Sequence, residues 1–208
     1  MLRTAALLAA FAIVGTALVA ITYTATVERI AENERRFLLQ ALHELVAPEM
    51  HDNDMYQDVI HVTAPAFLGT RDPVAVYRAR RQNRPVAAVL TPVAPNGYNG
   101  RIKLLVAVDF NGVLLGVRVV SHKETPGLGD RIDVEKSDWI KTFAGKSLSH
   151  PSARRWRVKK DGGEFDQFTG ATITPRAVVG AVRKTLEYFV QHRDALFAPI
   201  PQETDHHG

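Results

Sequence analysis

The chain has no cysteine at all among its 208 residues. This absence excludes disulfide bonds, zinc sites built on thiolates, iron–sulfur clusters held by cysteine and catalysis by a cysteine nucleophile. Acidic residues are slightly outnumbered, with 22 Asp and Glu against 26 Lys and Arg, so the formal net charge is +4. This excess of positive charge is mild. It is compatible with binding to anionic lipid, with an anionic cofactor, or with no charged partner at all.

Charged residues are also missing from one long stretch, residues 4–27, which lies between Arg3 and Glu28. These 24 uncharged residues are enough to cross about 30 Å of hydrocarbon. The stretch is long for a signal-peptide core, and no Ala-x-Ala site ends it, so we expect an uncleaved anchor over residues 1–27. A cleaved signal peptide is the alternative. Basic residues flank both ends, so charge alone does not set the orientation.

Three further segments follow the anchor: a helical stalk with a connector at residues 28–72, a folded domain at 73–197, and a polar tail at 198–208. Apolar residues at helical spacing predict an amphipathic helix over residues 30–46. His51-Asp52-Asn53-Asp54 then forms a polar break. Neighbouring residues of one loop do not make a metal site, so we expect no bound metal.

The folded domain is predicted to be α+β, an antiparallel sheet packed with helices. Runs rich in Val and Ala predict strands at 73–80 and 85–92. The strongest hairpin signal is Asn111-Gly112, the pair favoured in a type I′ turn, between strands at 102–110 and 113–122. A short helix is expected at 132–146 with Trp139, Ile140 and Phe143 inward. A further strand is expected at 154–160, with Trp156 and Val158 alternating against basic residues.

The stretch at residues 166–172, Asp-Gln-Phe-Thr-Gly-Ala-Thr, directly precedes a helix predicted at 175–196. Thr174 suits the cap of that helix and Pro175 its first position. Unpaired N–H groups at a helix start bind anions, so a phosphate near Thr172 is one interpretation. An ordinary turn and helix cap is the other.

A second irregular stretch, residues 124–129, reads Glu-Thr-Pro-Gly-Leu-Gly and cannot form regular structure. Its glycines let backbone approach a flat ligand closely and expose N–H groups. A long loop without a ligand is the alternative. The chain has no Gly-x-Gly-x-x-Gly fingerprint after a predicted strand, so we expect it to have no NAD-binding site of its own. No aromatic stacking array accompanies the basic residues, so we expect no nucleic-acid partner.

Together, these two stretches resemble the paired signatures of the covalent FMN-binding domain family. Gly97-Tyr98-x-Gly100-x-Ile102, just upstream, is also similar. This domain occurs in the G subunit of the Rnf/Rsx electron transport complex and in the C subunit of the sodium-translocating NADH:quinone reductase. The resemblance implies an FMN joined through its phosphate to Thr172 by a flavin transferase that recognises Asp166. It also implies cofactor-binding residues in both stretches: Glu124, Thr125, Pro126, Gly127, Leu128, Gly129, Thr169, Gly170 and Ala171.

Compact length favours the G subunit of an Rnf-type complex within this family. The resemblance then implies an electron carrier, without catalytic residues of its own, in a complex that exchanges electrons between ferredoxin and NAD and translocates an ion. Its partners would be the bilayer, the other membrane subunits and the flavin transferase. The domain would face the periplasm from the bacterial inner membrane. The C subunit of the quinone reductase is one alternative, and a non-redox anchored adaptor or sensor is another.

Overall fold

The computed structural model describes residues 2–199, except for the side chains of residues 28, 31 and 34. The polar tail predicted at 198–208 lies almost entirely outside the described residues. The chain divides into two compact units, Met1–Leu42 and His43–Gly208.

The first unit consists of one long helix, α1, which spans Leu2–Leu45 and ends just inside the second unit. Its segment Leu2–Val27 is long and apolar enough to cross a membrane. The hydroxyls of Thr22, Thr24 and Thr26 donate to backbone carbonyls one turn earlier, at 2.8, 3.1 and 2.8 Å. These polar groups are therefore satisfied within the helix itself, as an apolar environment requires.

The predicted anchor and amphipathic helix thus form a single α-helix. Neither Gly nor Pro occurs between residues 16 and 47, so nothing in the chain interrupts the helical backbone. The helix ends shortly before Pro48, where the proline ring disfavours helical backbone in the preceding residue.

The second unit is organised around a six-stranded sheet in which every strand pair is antiparallel. Its strands are β1 Val59–Val62, β2 Val74–Arg81, β3 Arg84–Leu90, β4 Val93–Gly97, β5 Gly100–Asp109 and β6 Leu114–Ser121. β5 pairs with β3 through Val106–Asp109, with β4 nearer its start and with β6. The α+β class is thereby confirmed, and β1 joins the sheet from within the predicted connector.

Helices complete the unit, with α2 at Pro65–Leu68 and α3 at Ile173–Leu196. The apolar stripe of α3 is buried in the main core against the sheet residues. Five short 3-10 helices lie at Pro48–Met50, Gly129–Ile132, Asp138–Phe143, Ala153–Arg155 and Lys159–Asp161. The helix predicted at 132–146 is therefore only one of these turns, although Trp139, Ile140 and Phe143 are buried as expected.

The strand predicted at residues 154–160 is wrong, because this segment contains two 3-10 turns and no strand. Trp156 and Val158 are nevertheless buried, so the alternation marked the inward residues correctly. The chain folds back on itself here: Gly163 lies so close to the carbonyl of Arg157 that a Cβ would meet that oxygen at 1.9 Å. Val158 then makes one isolated bridge to Phe165 in place of a ladder.

The turn type predicted for Asn111-Gly112 is also wrong, although the hairpin is present. Gly112 has φ 86°, but Asn111 does not have a positive φ. The Asp109 carboxylate accepts from the Val113 N–H at 2.8 Å, and its carbonyl accepts from the Gly112 N–H at 3.0 Å, which produces a wider loop. The pair with positive φ at both positions is instead Gln82-Asn83, between β2 and β3.

A buried arginine ties the C-terminal end of α3 to the sheet. Arg78 on β2 is 3% exposed and forms an ion pair with Asp58, whose other oxygen accepts from Arg80 at 2.8 Å. Its guanidinium also donates to the carbonyls of Leu196 and Ala198, at 3.3 and 2.9 Å. The bond to Leu196 satisfies a carbonyl group that the last helical turn leaves without a partner, and the bond to Ala198 holds the chain just beyond the helix.

We expect Arg78→Met to lower the free energy of unfolding by about 2–4 kcal/mol, because a buried pair loses its cation. Arg84→Met, on the neighbouring strand and exposed, is the matched control, with an effect within about 0.5 kcal/mol. Urea titration of the full chain in detergent measures both changes through the fluorescence of the buried residues Trp139 and Trp156. Equal stability of the two variants would contradict a stabilising role for the buried Arg78 side chain.

Candidate functional site

The two stretches singled out in the sequence meet in one cavity of about 300 Å³. Its walls come from the turn after β4, from the loop at 124–129 and from the start of α3. The lining residues are Tyr98, Glu124, Thr125, Leu128, Gly129, Gly170, Ala171, Thr172, Ile173 and Thr174. Positions about 40 residues apart in the chain are thus brought to the same wall.

Glu124 is the buried polar centre of the cavity wall, with an exposed fraction of 4%. Its carboxylate accepts from the backbone N–H groups of Asn99 at 3.0 Å and Tyr98 at 3.3 Å. It also accepts from the hydroxyl of Thr174. Every donor is a neutral group, and the three donors belong to two separate segments of the chain. Glu124 therefore joins the β4–β5 turn, its own loop and α3.

The backbone of Glu124 is held by a second polar pair. Its N–H donates to Nδ1 of His122 at 2.9 Å, and Nε2 of His122 lies 2.9 Å from the carboxylate of Asp133. Because Nδ1 accepts, Nε2 carries the ring proton and donates to Asp133. Nothing in the sequence alone indicated His122, since its two partners come from different turns.

The start of α3 differs from the prediction in its cap. Thr172 occupies the cap position, but its side chain makes no cap hydrogen bond. Thr174 lies inside the first helical turn, where it is fully buried and bonded to Glu124. The expectation that Thr174 caps the helix is therefore wrong. The Thr172 hydroxyl, half-buried in the cavity wall, is left unused by the helix.

Apolar side chains stand exposed around the same cavity. Tyr98, Leu128 and Ile173 are 64%, 43% and 45% exposed. Among the described residues from 43 onward, only five large hydrophobic side chains are exposed, and these are three of them. Such a cluster indicates a surface that an apolar ligand or partner covers. Tyr98 and Ile173 were not identified as site residues, although Tyr98 lies in the Gly97–Gly100 signature.

Four of the expected site residues do not line the cavity: Pro126, Gly127, Asp166 and Thr169. Asp166 forms an exposed ion pair with Lys159 at 2.6 Å, and its carbonyl accepts from the Trp139 indole at 2.8 Å. The Asp166 side chain therefore lies on the protein surface. The roles expected of these four residues stay predictions.

Arg176 brings the first turn of α3 into contact with the 3-10 turn at Lys159–Asp161. It donates two hydrogen bonds of 2.7 Å to Asp161. The hydrogen bond from Arg176 is the main cause that lowers the pKa of the Asp161 carboxyl below its ordinary value. This cation is therefore already engaged by a carboxylate and is not directed into the cavity.

A larger cleft of about 830 Å³ lies beside Asp58, Arg78 and Arg80. Its arginines already bind Asp58 and the carbonyls of Phe197 and Ala198, just after the end of α3. We therefore place the functional site at the smaller cavity, which contains both sequence motifs. Among the side chains that the structure describes, no group of three or more acidic or histidine residues is arranged to hold a metal ion.

Family comparisons match both units of the chain. The FMN-binding domain family matches residues 97–187, and the RnfG N-terminal region matches residues 1–45. The G subunit of the ion-translocating oxidoreductase complex from Pseudomonas aeruginosa (strain UCBPP-PA14) is 52% identical over 96% of this chain and 93% of its own length. The protein of the same name from Shewanella loihica is 49% identical over 93% and 92%.

Among solved structures, the crystal structure of Shewanella oneidensis NqrC is similar, with a TM-score of 0.49 and 22% sequence identity. The similarity covers 71% of this chain and 76% of that one.

We expect Gly129→Ala to destabilise the domain by about 1–3 kcal/mol through overpacking. A Cβ at this position would meet the Glu124 side chain and the Thr174 hydroxyl at 3.0 Å. Gly180→Ala is the matched control, because a Cβ there meets nothing within 4 Å. In a helix interior this control should stabilise by about 0.5–1 kcal/mol. Urea titration of both full-length variants measures the difference, and a stabilised Gly129→Ala would contradict the close packing of Gly129 against Glu124 and Thr174.

Proposed function

Because this chain belongs to the family of the G subunit of ion-translocating oxidoreductase complexes, we propose that it is the membrane-anchored electron carrier of an Rnf-type complex. In this proposal the cofactor is FMN, bound covalently by a phosphoester to Thr172. The complex exchanges electrons between ferredoxin and NAD and couples the exchange to ion translocation. Family membership favours this assignment over the C subunit of the quinone reductase and over a non-redox adaptor.

One observation carries the proposal: the unused hydroxyl of Thr172 lies in a cavity whose walls combine a helix start with exposed apolar side chains. A phosphate at Thr172 would lie at the positive end of α3, where backbone N–H groups stabilise negative charge. Gly170, with φ 81°, lets the backbone turn tightly just before this point.

The remaining walls suit the rest of the cofactor. An isoalloxazine ring is flat and largely apolar, and Tyr98, Leu128 and Ile173 offer exposed apolar surface of the same kind. A volume of about 300 Å³ is at the small end of ligand pockets. This size suits a ligand tethered at one end and partly exposed at the other, as exchange of electrons with a neighbouring protein requires. When bound, FMN supplies the reversible acceptance of electrons.

In this proposal an external transferase attaches the flavin, since a threonine hydroxyl is a weak nucleophile unless a neighbouring group activates it. Among the described residues, neither a histidine nor a carboxylate has a hydrogen bond to this hydroxyl. Asp166, exposed beside the acceptor segment, is the residue that we propose the transferase recognises. Thr169, also exposed, would bind the phosphate or the transferase.

The proposal also concerns the compartment. We propose that Leu2–Val27 anchors the chain in the bacterial inner membrane and that the folded unit lies in the periplasm. The support is the apolar segment near the N-terminus, which is followed by a domain of ordinary size. The other membrane subunits of the complex would bind the exposed ligand and the anchor.

We expect the wild-type chain, purified from membranes and denatured on a gel, to carry flavin fluorescence that Thr172→Ala abolishes. Only a covalent bond retains the flavin through denaturation, and Thr172→Ala removes the oxygen to which that bond is proposed to be made. Thr172→Ser, which keeps a hydroxyl, should retain part of the signal. Thr63→Ala, at an exposed threonine between β1 and α2, should retain all of it. A dark wild-type band from cells that contain the transferase would refute covalent attachment, and a fluorescent Thr172→Ala band would move it elsewhere.

We expect added protease to digest the folded unit in intact spheroplasts and to spare it in inside-out vesicles, because the periplasmic face is exposed only in the former. An antibody against the folded unit detects the fragments, and detergent lysis of the vesicles is the control that exposes all sites. Digestion confined to inside-out vesicles would place the domain on the cytoplasmic side.

A further inference from the structure

The hydroxyl of Thr174 has an unusual partner for a buried threonine in a helix. In a helix interior such a hydroxyl ordinarily donates to a carbonyl one turn earlier, as the fully buried Thr185 on the same helix donates to Ala181 at 2.9 Å. Thr174 is the second residue of α3, so no helical carbonyl lies one turn before it. Thr174 is equally buried, but it donates to the carboxylate of Glu124, 50 residues away in sequence. Its hydrogen bond therefore joins two segments of the chain and does not merely satisfy the helix.

This bond acts close to the acceptor residue. Thr172 is the cap residue of α3, and Thr174 lies in the turn that follows. The short, regular backbone between them has little freedom, so the position of Thr174 largely determines that of the Thr172 backbone. Thr172 itself makes no cap hydrogen bond, and the bond from Thr174 to Glu124 joins this end of the helix to the loop at 124–129.

Glu124 is itself held on several sides. The Tyr98 and Asn99 N–H groups bind its carboxylate, and His122 binds its backbone N–H. Glycines at 97 and 129 leave the space that it occupies, since a Cβ at Gly97 would meet its Oε1 at 2.9 Å and one at Gly129 its Oε2 at 3.0 Å. A carboxylate fixed in this way is a rigid reference point for α3.

We infer that Thr174 and Glu124 are positioning residues for covalent attachment: their hydrogen bond orients the Thr172 hydroxyl for transfer without contacting the flavin donor. This inference rests on the proposed attachment of FMN to Thr172. It gives Glu124 a role different from the direct cofactor contact expected from the sequence, because its carboxylate oxygens are already bound by protein donors.

The step in question is a phosphoryl transfer whose donor must carry the FMN phosphate in a phosphoanhydride, as a flavin dinucleotide does. The bond between Thr172 Oγ and phosphorus forms, and the anhydride bond to the nucleoside monophosphate breaks. The monophosphate leaves, and the hydroxyl proton passes to a base of the transferase or to solvent. Orientation of the attacking oxygen affects the rate of this step more than the binding of the chain.

The test measures initial rates of covalent flavin incorporation into the full chain in detergent, purified from cells without the transferase. Purified transferase and flavin adenine dinucleotide are supplied, and in-gel fluorescence is read over a range of chain concentrations. For Thr174→Val we expect kcat to fall by about tenfold to a hundredfold, with KM for the chain unchanged within about twofold. Thr174→Ser should restore most of kcat, because it returns the hydroxyl.

Thr185→Val is the matched control, since it removes an equally buried hydroxyl from the same helix but away from Glu124. Both of its kinetic parameters should equal those of the wild type. A Thr174→Val chain with wild-type kcat would overturn the inference, and so would an effect on KM alone, which would indicate a role in transferase recognition. No incorporation into the wild type would instead refute the proposed attachment, and this inference with it.

Thermal unfolding of each variant without flavin, followed by tryptophan fluorescence, separates orientation from loss of fold. If Thr174→Val is unfolded at the assay temperature, Glu124→Gln decides the question in the same way. It keeps the size of the side chain and replaces one acceptor oxygen with a donor. If both variants are unfolded, the bond is structural and the inference is overturned.

Discussion

The buried carboxylate of Glu124 is the interaction on which the candidate site depends. A carboxylate removed from water is costly unless donors replace its hydration. Here the donors are two backbone N–H groups of the β4–β5 turn and the hydroxyl of Thr174 on α3. Since each donor belongs to a segment remote from Glu124 in the chain, satisfying this one group forces the turn, the loop and the helix start together. The cavity is the space that this arrangement leaves.

The rest of the domain supports this junction from both ends of α3. The apolar stripe of the helix is buried against the sheet, and Arg78 binds the carbonyl of its last residue, Leu196, and that of Ala198 just beyond it. The helix start is therefore presented by an element fixed along its whole length. A rigid support of this kind suits a site whose acceptor hydroxyl and exposed apolar walls must keep their relative positions while a partner protein approaches.

Sequence reasoning succeeded where the signal was local or where a motif was specific. Helical spacing located α3 nearly to its ends, and alternation identified Trp156 and Val158 as buried. It failed where distant contacts overrode local preference. The segment around Trp156 has a strand-like pattern, but it folds back through Gly163 and makes 3-10 turns. Thr174 is a residue type that often caps helices, but its hydroxyl instead donates to the buried carboxylate of Glu124, 50 residues earlier in the chain.

The sequence by itself determined the apolar segment, the α+β class and the family, because each rests on composition, periodicity or motifs that are complete within short stretches of the chain. It also named seven of the ten cavity residues, since they belong to the two motifs. Only the tertiary structure decided that the motifs share one wall, that Tyr98 and Ile173 complete it, and that Thr172 keeps an unused hydroxyl. These facts depend on which donors reach a buried carboxylate, and that pairing exists only once the sheet and α3 have packed together.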